Sequence, residues 1–270
     1  MQPRSHEITK KKPLFVFSCF RLRLVFCRTV IFPMKKRVTA SMVMLAGLMA
    51  TGRAAAGKSG DLLDQVDHLV YATPDLNAGI DTLERLLGVR ATAGGQHPGL
   101  GTRNALIALG PSSYIEIIGP DPDQAKSKEP RRFGIDDLKV PTLVTWVAKG
   151  SQLERFAADA RLHGVDLGKV QSGSRKRPDG VVLSWRYTDP RVVVANRIVP
   201  YFIDWGTSPH PALTAAKGAS LLGLRAEHPD VRRVQNMLDR LGLELPLQRG
   251  SAPALIATIS SPKGRVELRN

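Results

Sequence analysis

The feature that most constrains this chain is its repetition. From Asp64 onward, an extended segment, an amphipathic helix and further extended segments recur three times. In the first copy Gln65–Thr73 alternates as a strand does, and Pro74-Asp75 then opens a helix over Leu76–Leu87. Leu76, Ile80, Leu83 and Leu87 fall on one helical face, and Gly88 supplies the stop. A weakly marked strand about Val89–Thr92 and a glycine-rich loop (Gly94, Gly95, Gly99, Gly101) come next. Strand Asn104–Leu109, the Gly110-Pro111 turn and strand Tyr114–Ile118 complete a βαβββ unit. The second copy reads strand Thr142–Ala148, helix Gln152–Leu162, an extended piece Val165–Val170, then strands Val181–Thr188 and Val199–Trp205. The third is more compact: strand Ser220–Ala226, helix Val231–Leu241, strands Leu255–Ser260 and Arg265–Arg269. Duplicated units of this size each need a neighbour to cover their sheet. Helices on one face leave the other free to curl. The expected fold class is therefore α+β, with repeated βαβββ units forming curved sheets around a cleft and helices outside. Residues 64–211 are expected to hold the first two units and 218–270 the third.

Charge looks at first like a nucleic-acid signal, since the net formal charge is +15. It is unevenly placed. Residues 1–56 hold eleven Lys/Arg against Glu7 alone and so carry +10, leaving +5 for the rest. No basic face interleaved with aromatic residues follows, so nucleic acid is not the expected partner. Both cysteines, Cys19 and Cys27, lie in this N-terminal stretch. Thiolate catalysis and cysteine-ligated zinc are thereby excluded for the repeated part.

From Met34 the chain reads as an export address. Lys35-Lys36-Arg37 precede an apolar run, Val38–Ala50, and the small residues Ala54-Ala55-Ala56 follow. A signal peptide over 34–56, a linker over 57–63 and export to the periplasm are the expectation, with no stable membrane span once the signal is removed. Residues 14–32 are also apolar, but Arg21, Arg23 and Arg28 within them argue against a span. Translation is accordingly expected to begin at Met34, with 1–33 outside the natural product.

Five short motifs then carry a resemblance. They are Asp67-His68-Leu69-Val70, the run His97-Pro98-Gly99 through Gly101-Thr102 to Asn104, Tyr114-Ile115-Glu116-Ile117-Ile118, Arg177-Pro178-Asp179-Gly180 with Trp185, and Phe202-Ile203-Asp204-Trp205. In order and spacing, from about Val66 to Pro211, they resemble the glyoxalase-like domain branch of the vicinal oxygen chelate superfamily. The third copy resembles that unit only in pattern. The resemblance implies a sheet-lined cleft for a small oxygen-rich molecule. In the metal enzymes of this superfamily the first and fourth strands supply ligands, whereas other members merely sequester small molecules.

Period-two alternation places Val66, His68 and Val70 on one face of the first strand and Asp67, Leu69 and Tyr71 on the other. Tyr114, Glu116 and Ile118 share a face of the last. If His68 and Glu116 both meet the cleft they form an imidazole–carboxylate pair suited to Zn, Fe, Mn, Ni or Co; the same pair would equally satisfy itself as a buried hydrogen bond. Aligning Leu153 with Leu76 puts Thr145 at the His68 position of the second copy, and Asp204 near that of Glu116. His68, Glu116 and Asp204 are the candidate metal ligands, with His97 or His210 needed from loops to complete a set. Glu116, His97 and Asn104 are the candidate catalytic residues. His97 sits in a Gly/Pro loop that is a ligand approach or a tight turn, and Asn104 orients a carbonyl or caps a turn. Arg177, Trp185 and Tyr114 are candidate substrate contacts. Arg177 would clamp a carboxylate or merely connect a hairpin, and Trp185 and Trp205 line a pocket or fill core. His163, at a helix end, reads as structural. The Lys126–Arg132 run reads as a solvated linker. Gly223 stands at the His68 position of the third copy, which is expected to cover a sheet or to make a homodimer contact. The leading functional expectation is a metal-dependent lyase, isomerase or ring-cleaving dioxygenase. The alternatives are a non-catalytic binder of the same fold and a partner-binding protein with a relict site.

Overall fold

The computed structural model describes residues 61–125 and 129–270. The signal segment 34–56 and the stretch 1–33 lie outside them. Residues 62 and 63, expected in a linker, instead begin a single helical turn, α1 (Leu62–Gln65), which Asp61 caps and in which Leu62 is buried. No helix among the described residues is long and apolar enough to cross a membrane.

The first unit runs β1 (Val66–Ala72), α2 (Leu76–Leu87), β2 (Thr92–His97), β3 (Thr102–Gly110) and β4 (Ser113–Pro120). Helix α2 begins and ends where its sequence signals stand. The Asp75 carboxylate accepts the Ala78 N–H at 2.8 Å, and Gly88 closes the helix in the left-handed region at φ 72°. The second unit repeats this as β5 (Thr142–Lys149), α3 (Leu153–Leu162), β6 (Gln171–Lys176), β7 (Val182–Tyr187) and β8 (Tyr201–Asp204). Together they form one eight-stranded sheet in the order β2-β3-β4-β1-β5-β8-β7-β6. Each first strand pairs in parallel with its own last strand, and β1 meets β5 antiparallel at the centre.

Two strands lie further along the chain than the pattern predicts. β2 spans 92–97 rather than 89–92, and β6 spans 171–176 rather than 165–170. Both were hidden by composition. Gly94 and Gly95, expected in a loop, are strand residues whose missing side chains let the two rims of the sheet meet. A Cβ on Gly95 would lie 2.6 Å from the Lys176 carbonyl oxygen, and Arg175 donates to the Gly94 carbonyl. The sheet is thus curled nearly shut.

The third unit holds β9 (Ser220–His228), α4 (Val231–Arg240), β10 (Leu247–Arg249), β11 (Ala254–Ser261) and β12 (Gly264–Arg269). Its element order matches the repeat but its strand order does not. It forms a separate sheet, β10-β9-β11-β12, with the first strand in the interior rather than against the last. Leu224, Ala226, Leu255 and Ile259 share one buried cluster with Leu69, Leu83, Leu87, Ile115, Ile117 and Trp146. The third unit therefore helps α2 and α3 cover the outer face of the large sheet. Each fully buried leucine in that cluster contributes on the order of 1.5–3 kcal/mol. The inner face carries the polar residues, and they gather in one place.

Candidate functional site

A cavity of about 240 Å³ opens inside the curl, and every strand of the large sheet except β5 lines it. Its floor is built on β4 and β1. Alternation along β4 turns Tyr114, Glu116 and Ile118 inward, while Ile115 and Ile117 join the outer core. Glu116 is only 7% exposed. Its Oε1 accepts the Asn104 Nδ2–H at 2.6 Å; its Oε2 has no hydrogen bond among the described residues and lies 3.8 Å from His68 Nε2. His97 Nε2 stands 3.7 Å from Glu116 Oε1.

His97 ends β2 rather than sitting in a loop, and its Nδ1 meets Thr102 Oγ1 at 3.0 Å. Burial drives its pKa down from the usual histidine value to about 4, so the ring is neutral at ordinary pH. Asn104 lies within β3, and Gly94 makes its pose achievable. A Cβ there would fall 2.1 Å from Asn104 Oδ1.

Asp67 does not face the outer core as strict alternation required. A bulge between Val66 and His68 sets two β1 residues against one step of β5 and breaks the period. Asp67 consequently sits behind His68, 1% exposed, as the hub of a buried polar cluster. Its Oδ1 accepts from His68 Nδ1 at 2.7 Å, and its Oδ2 from Trp205 Nε1 at 3.0 Å and His210 Nε2 at 3.2 Å. Burial alone would raise the Asp67 pKa; the hydrogen bonds from His210 and His68 outweigh it, and the group is held below the ordinary aspartate value. With Nδ1–H donated to Asp67, His68 turns the lone pair of Nε2 toward the cavity. There the Tyr201 hydroxyl reaches it at 3.3 Å. Burial holds the Tyr201 and Tyr114 phenols well above their usual range, so both keep their protons. Tyr114 also stacks on the His68 ring, with centroids 4.6 Å apart.

Several expected positions lie elsewhere. Asp204 is not among the cavity-lining residues, and its Oδ1 accepts from Gly206 N at 2.9 Å in its own turn. Register explains the difference. Val70 pairs with Glu116 in the first unit, and Val147, its counterpart in the repeat, pairs with Tyr201. Tyr201, not Asp204, thus occupies the Glu116 position. Thr145, at the His68 position, has its hydroxyl on the Arg197 carbonyl at 3.0 Å. Arg177 is ion-paired with Asp179 across its turn and does not line the cavity. Trp185 and Trp205 do line it, with rings 5.2 Å apart. His163 holds the Asp159 carbonyl at its helix end, as its position suggested.

The linker expectation fails at its last residue. Arg132 enters the cavity wall with its guanidinium 4.8 Å from the Tyr187 ring centroid. The next residue, Phe133, is buried beside it in a left-handed conformation, φ 64°, which is costly for a bulky side chain. Arg175, a second cavity-lining arginine, was also not marked by the sequence.

Does this donor set suit a divalent metal? Two imidazoles and one carboxylate are near one another, and the carboxylate behind His68 is the support a liganding imidazole receives. The second unit, however, offers a hydroxyl and a protonated phenol where the first offers imidazole and carboxylate. Among the described residues no three His, Cys, Asp or Glu side chains are grouped to hold one ion. The residues do not fit a metal held by the protein alone.

Against known families, residues 66–242 match the model of the glyoxalase-like domain. The chain belongs to the glyoxalase-like domain family. Among solved structures, this glyoxalase-like chain is similar to a hypothetical protein from Staphylococcus aureus, with 14% identity and a TM-score of 0.47, over 76% of this chain and 84% of that one. It is also similar to methylmalonyl-CoA epimerase from Mycobacterium tuberculosis, at 19% identity and a TM-score of 0.36, over 54% of this chain and 91% of that one. The Streptomyces coelicolor epimerase with 2-nitronate-propionyl-CoA is likewise similar, at 16% identity and a TM-score of 0.36, over 55% and 99%. No curated protein matches the sequence.

Proposed function

We propose that the cleft binds a small oxygen-rich molecule and moves a proton on it, as an isomerase or lyase does, with Glu116 as the base. The observation that carries this reading is the asymmetry of the carboxylate. One oxygen is held by Asn104, and the other, beside the cavity, has no hydrogen bond among the described residues. Such an oxygen is placed to accept a proton from a carbon next to a carbonyl. In that step the C–H bond breaks, the proton passes to Oε2, and the electron pair moves to the carbonyl oxygen as an enolate. Return of that proton from Oε2 to the adjoining carbon of the enolate, along the same face, gives an isomer. Asp67, His68 and Tyr201 hold the floor fixed beneath the ligand.

The test is deuterium exchange, followed by NMR in heavy water, across a panel of small oxo and hydroxy acids. Wild type is expected to exchange at least one member. Glu116→Gln, which keeps the contact with Asn104, is expected to slow that exchange by ~10²–10⁴-fold while leaving binding in place. Ligand binding without exchange by wild type would overturn the proton-transfer reading and leave a sequestering cleft.

A second reading keeps a divalent ion, favoured by the lone pair that Asp67 directs from His68 Nε2 toward Glu116. His68 and Glu116 would be its two protein ligands, with ligand oxygens completing the shell. Metal retained in the ligand complex and lost from both His68→Ala and Glu116→Ala would support it. Wild-type exchange that persists in chelator would set it aside.

Export is part of the same proposal, supported by the basic, apolar and small-residue order of 34–56. The mature protein is expected to begin near residue 57 when its N-terminus is sequenced from a periplasmic extract. An intact N-terminus would contradict this.

A further inference from the structure

We infer that the molecule held in this cleft is an anion whose carboxylate is gripped by Arg175 and Arg132. This rests on the cleft being the ligand site and goes on to name the ligand's class. The two arginines differ from their neighbours in one respect. Arg131 is ion-paired with Asp136 and Arg177 with Asp179, so those charges are matched locally. Arg175 is 3% exposed, and its one acceptor among the described residues is the Gly94 carbonyl. Arg132 donates to the Tyr187 hydroxyl and to Gln171 Oε1, both neutral, and its buried Nε–H has no acceptor among the described residues.

Among the described residues Glu116 is the one acidic residue lining the cavity, and Asn104 already engages it. The wall therefore carries two guanidinium groups against one carboxylate. Burial depresses the Arg175 pKa from its usual value, and the attraction of Glu116 does not make up for it. Desolvating a guanidinium in this way is costly unless an anion repays it. A carboxylate does so well, because its two oxygens match the planar fork of donors. The Trp185–Trp205 wall then faces the apolar body of the ligand. A small carboxylic acid satisfies each of these demands.

Matched probes test the inference. Glycolate, lactate and phenylacetate are compared with their primary amides by ligand-observed NMR, using the wild-type chain and the Arg132→Gln and Arg175→Gln variants. Wild type is expected to bind at least one acid about 10- to 100-fold more tightly than its amide. Arg132→Gln, at a half-buried position where the fold should survive, is expected to remove most of that preference even if the Arg175 variant fails to fold. Equal affinity for an acid and its amide would overturn the anion inference while leaving the cleft as a ligand site. No acid binding at tens of millimolar would overturn it as well. Acid-selective binding without deuterium exchange would instead uphold it and sink only the proton-transfer reading.

Discussion

Replacing Asp67 by alanine is expected to lower the free energy of unfolding by about 3–5 kcal/mol, one of the largest losses available to a single substitution in this chain. The side chain is 1% exposed and accepts from three ring nitrogens, one on β1 and two in the segment that follows β8. Removing it leaves the buried His68 Nδ1 and the partly buried Trp205 and His210 nitrogens without their shared acceptor. Asp67→Asn keeps the volume and one acceptor, and should cost less, about 1–3 kcal/mol. Its effect on the site should be the greater one relative to its cost, because an amide can present N–H to His68 and reverse the tautomer. Urea unfolding of both variants measures the first effect. A loss below about 1 kcal/mol for Asp67→Ala would show that the cluster contributes little to the fold.

The second large effect is on pH. The folded pKa of His97 is about 4 against an ordinary value of 6.5. A base whose folded pKa is lowered is protonated first in the unfolded chain, so acid favours unfolding. Stability should therefore fall as pH drops from about 6.5 to about 4, by on the order of 3 kcal/mol in total. Asp67 does not confuse this window. Its folded pKa is depressed, so its contribution is present above its unfolded value and is lost only at still lower pH. In His97→Gln the slope between pH 6.5 and 4 should flatten. A wild-type curve without that slope would mean that the ring accepts a proton in place, and that Glu116 at 3.7 Å stabilises it more than burial opposes it.

How far the sequence reaches is clear from particular residues. Helix α2 was legible to the residue because its signals are local, a capping aspartate before Leu76 and a left-handed glycine after Leu87. The inward face of β4 was legible because alternation holds along its length. Asp67 was not, because a bulge is a relation between two strands and period two cannot show it. The register that puts Tyr201 rather than Asp204 at the Glu116 position is likewise a property of paired strands. β2 and β6 were obscured by glycine and by polar composition, both of which usually mark loops. Arg132 was hidden among linker charges, and nothing in the run of the chain distinguishes it from Arg131 beside it. Only their partners differ.

The seam at Gly94 and Gly95 also bears on how this protein behaves in a crowd. An open eight-stranded sheet would end in two rims of unpaired backbone groups, each a template on which another chain could add a strand. Here those rims, β2 and β6, face one another across the two glycines. What remains exposed for strand addition is the small outer sheet, and it is poorly suited to it. β10 is three residues long, and β12 presents Arg265, Glu267 and Arg269 along its length. A side chain added at Gly95 would do more than crowd Lys176. It would part the seam and offer both rims of the larger sheet to whatever chain lies nearest.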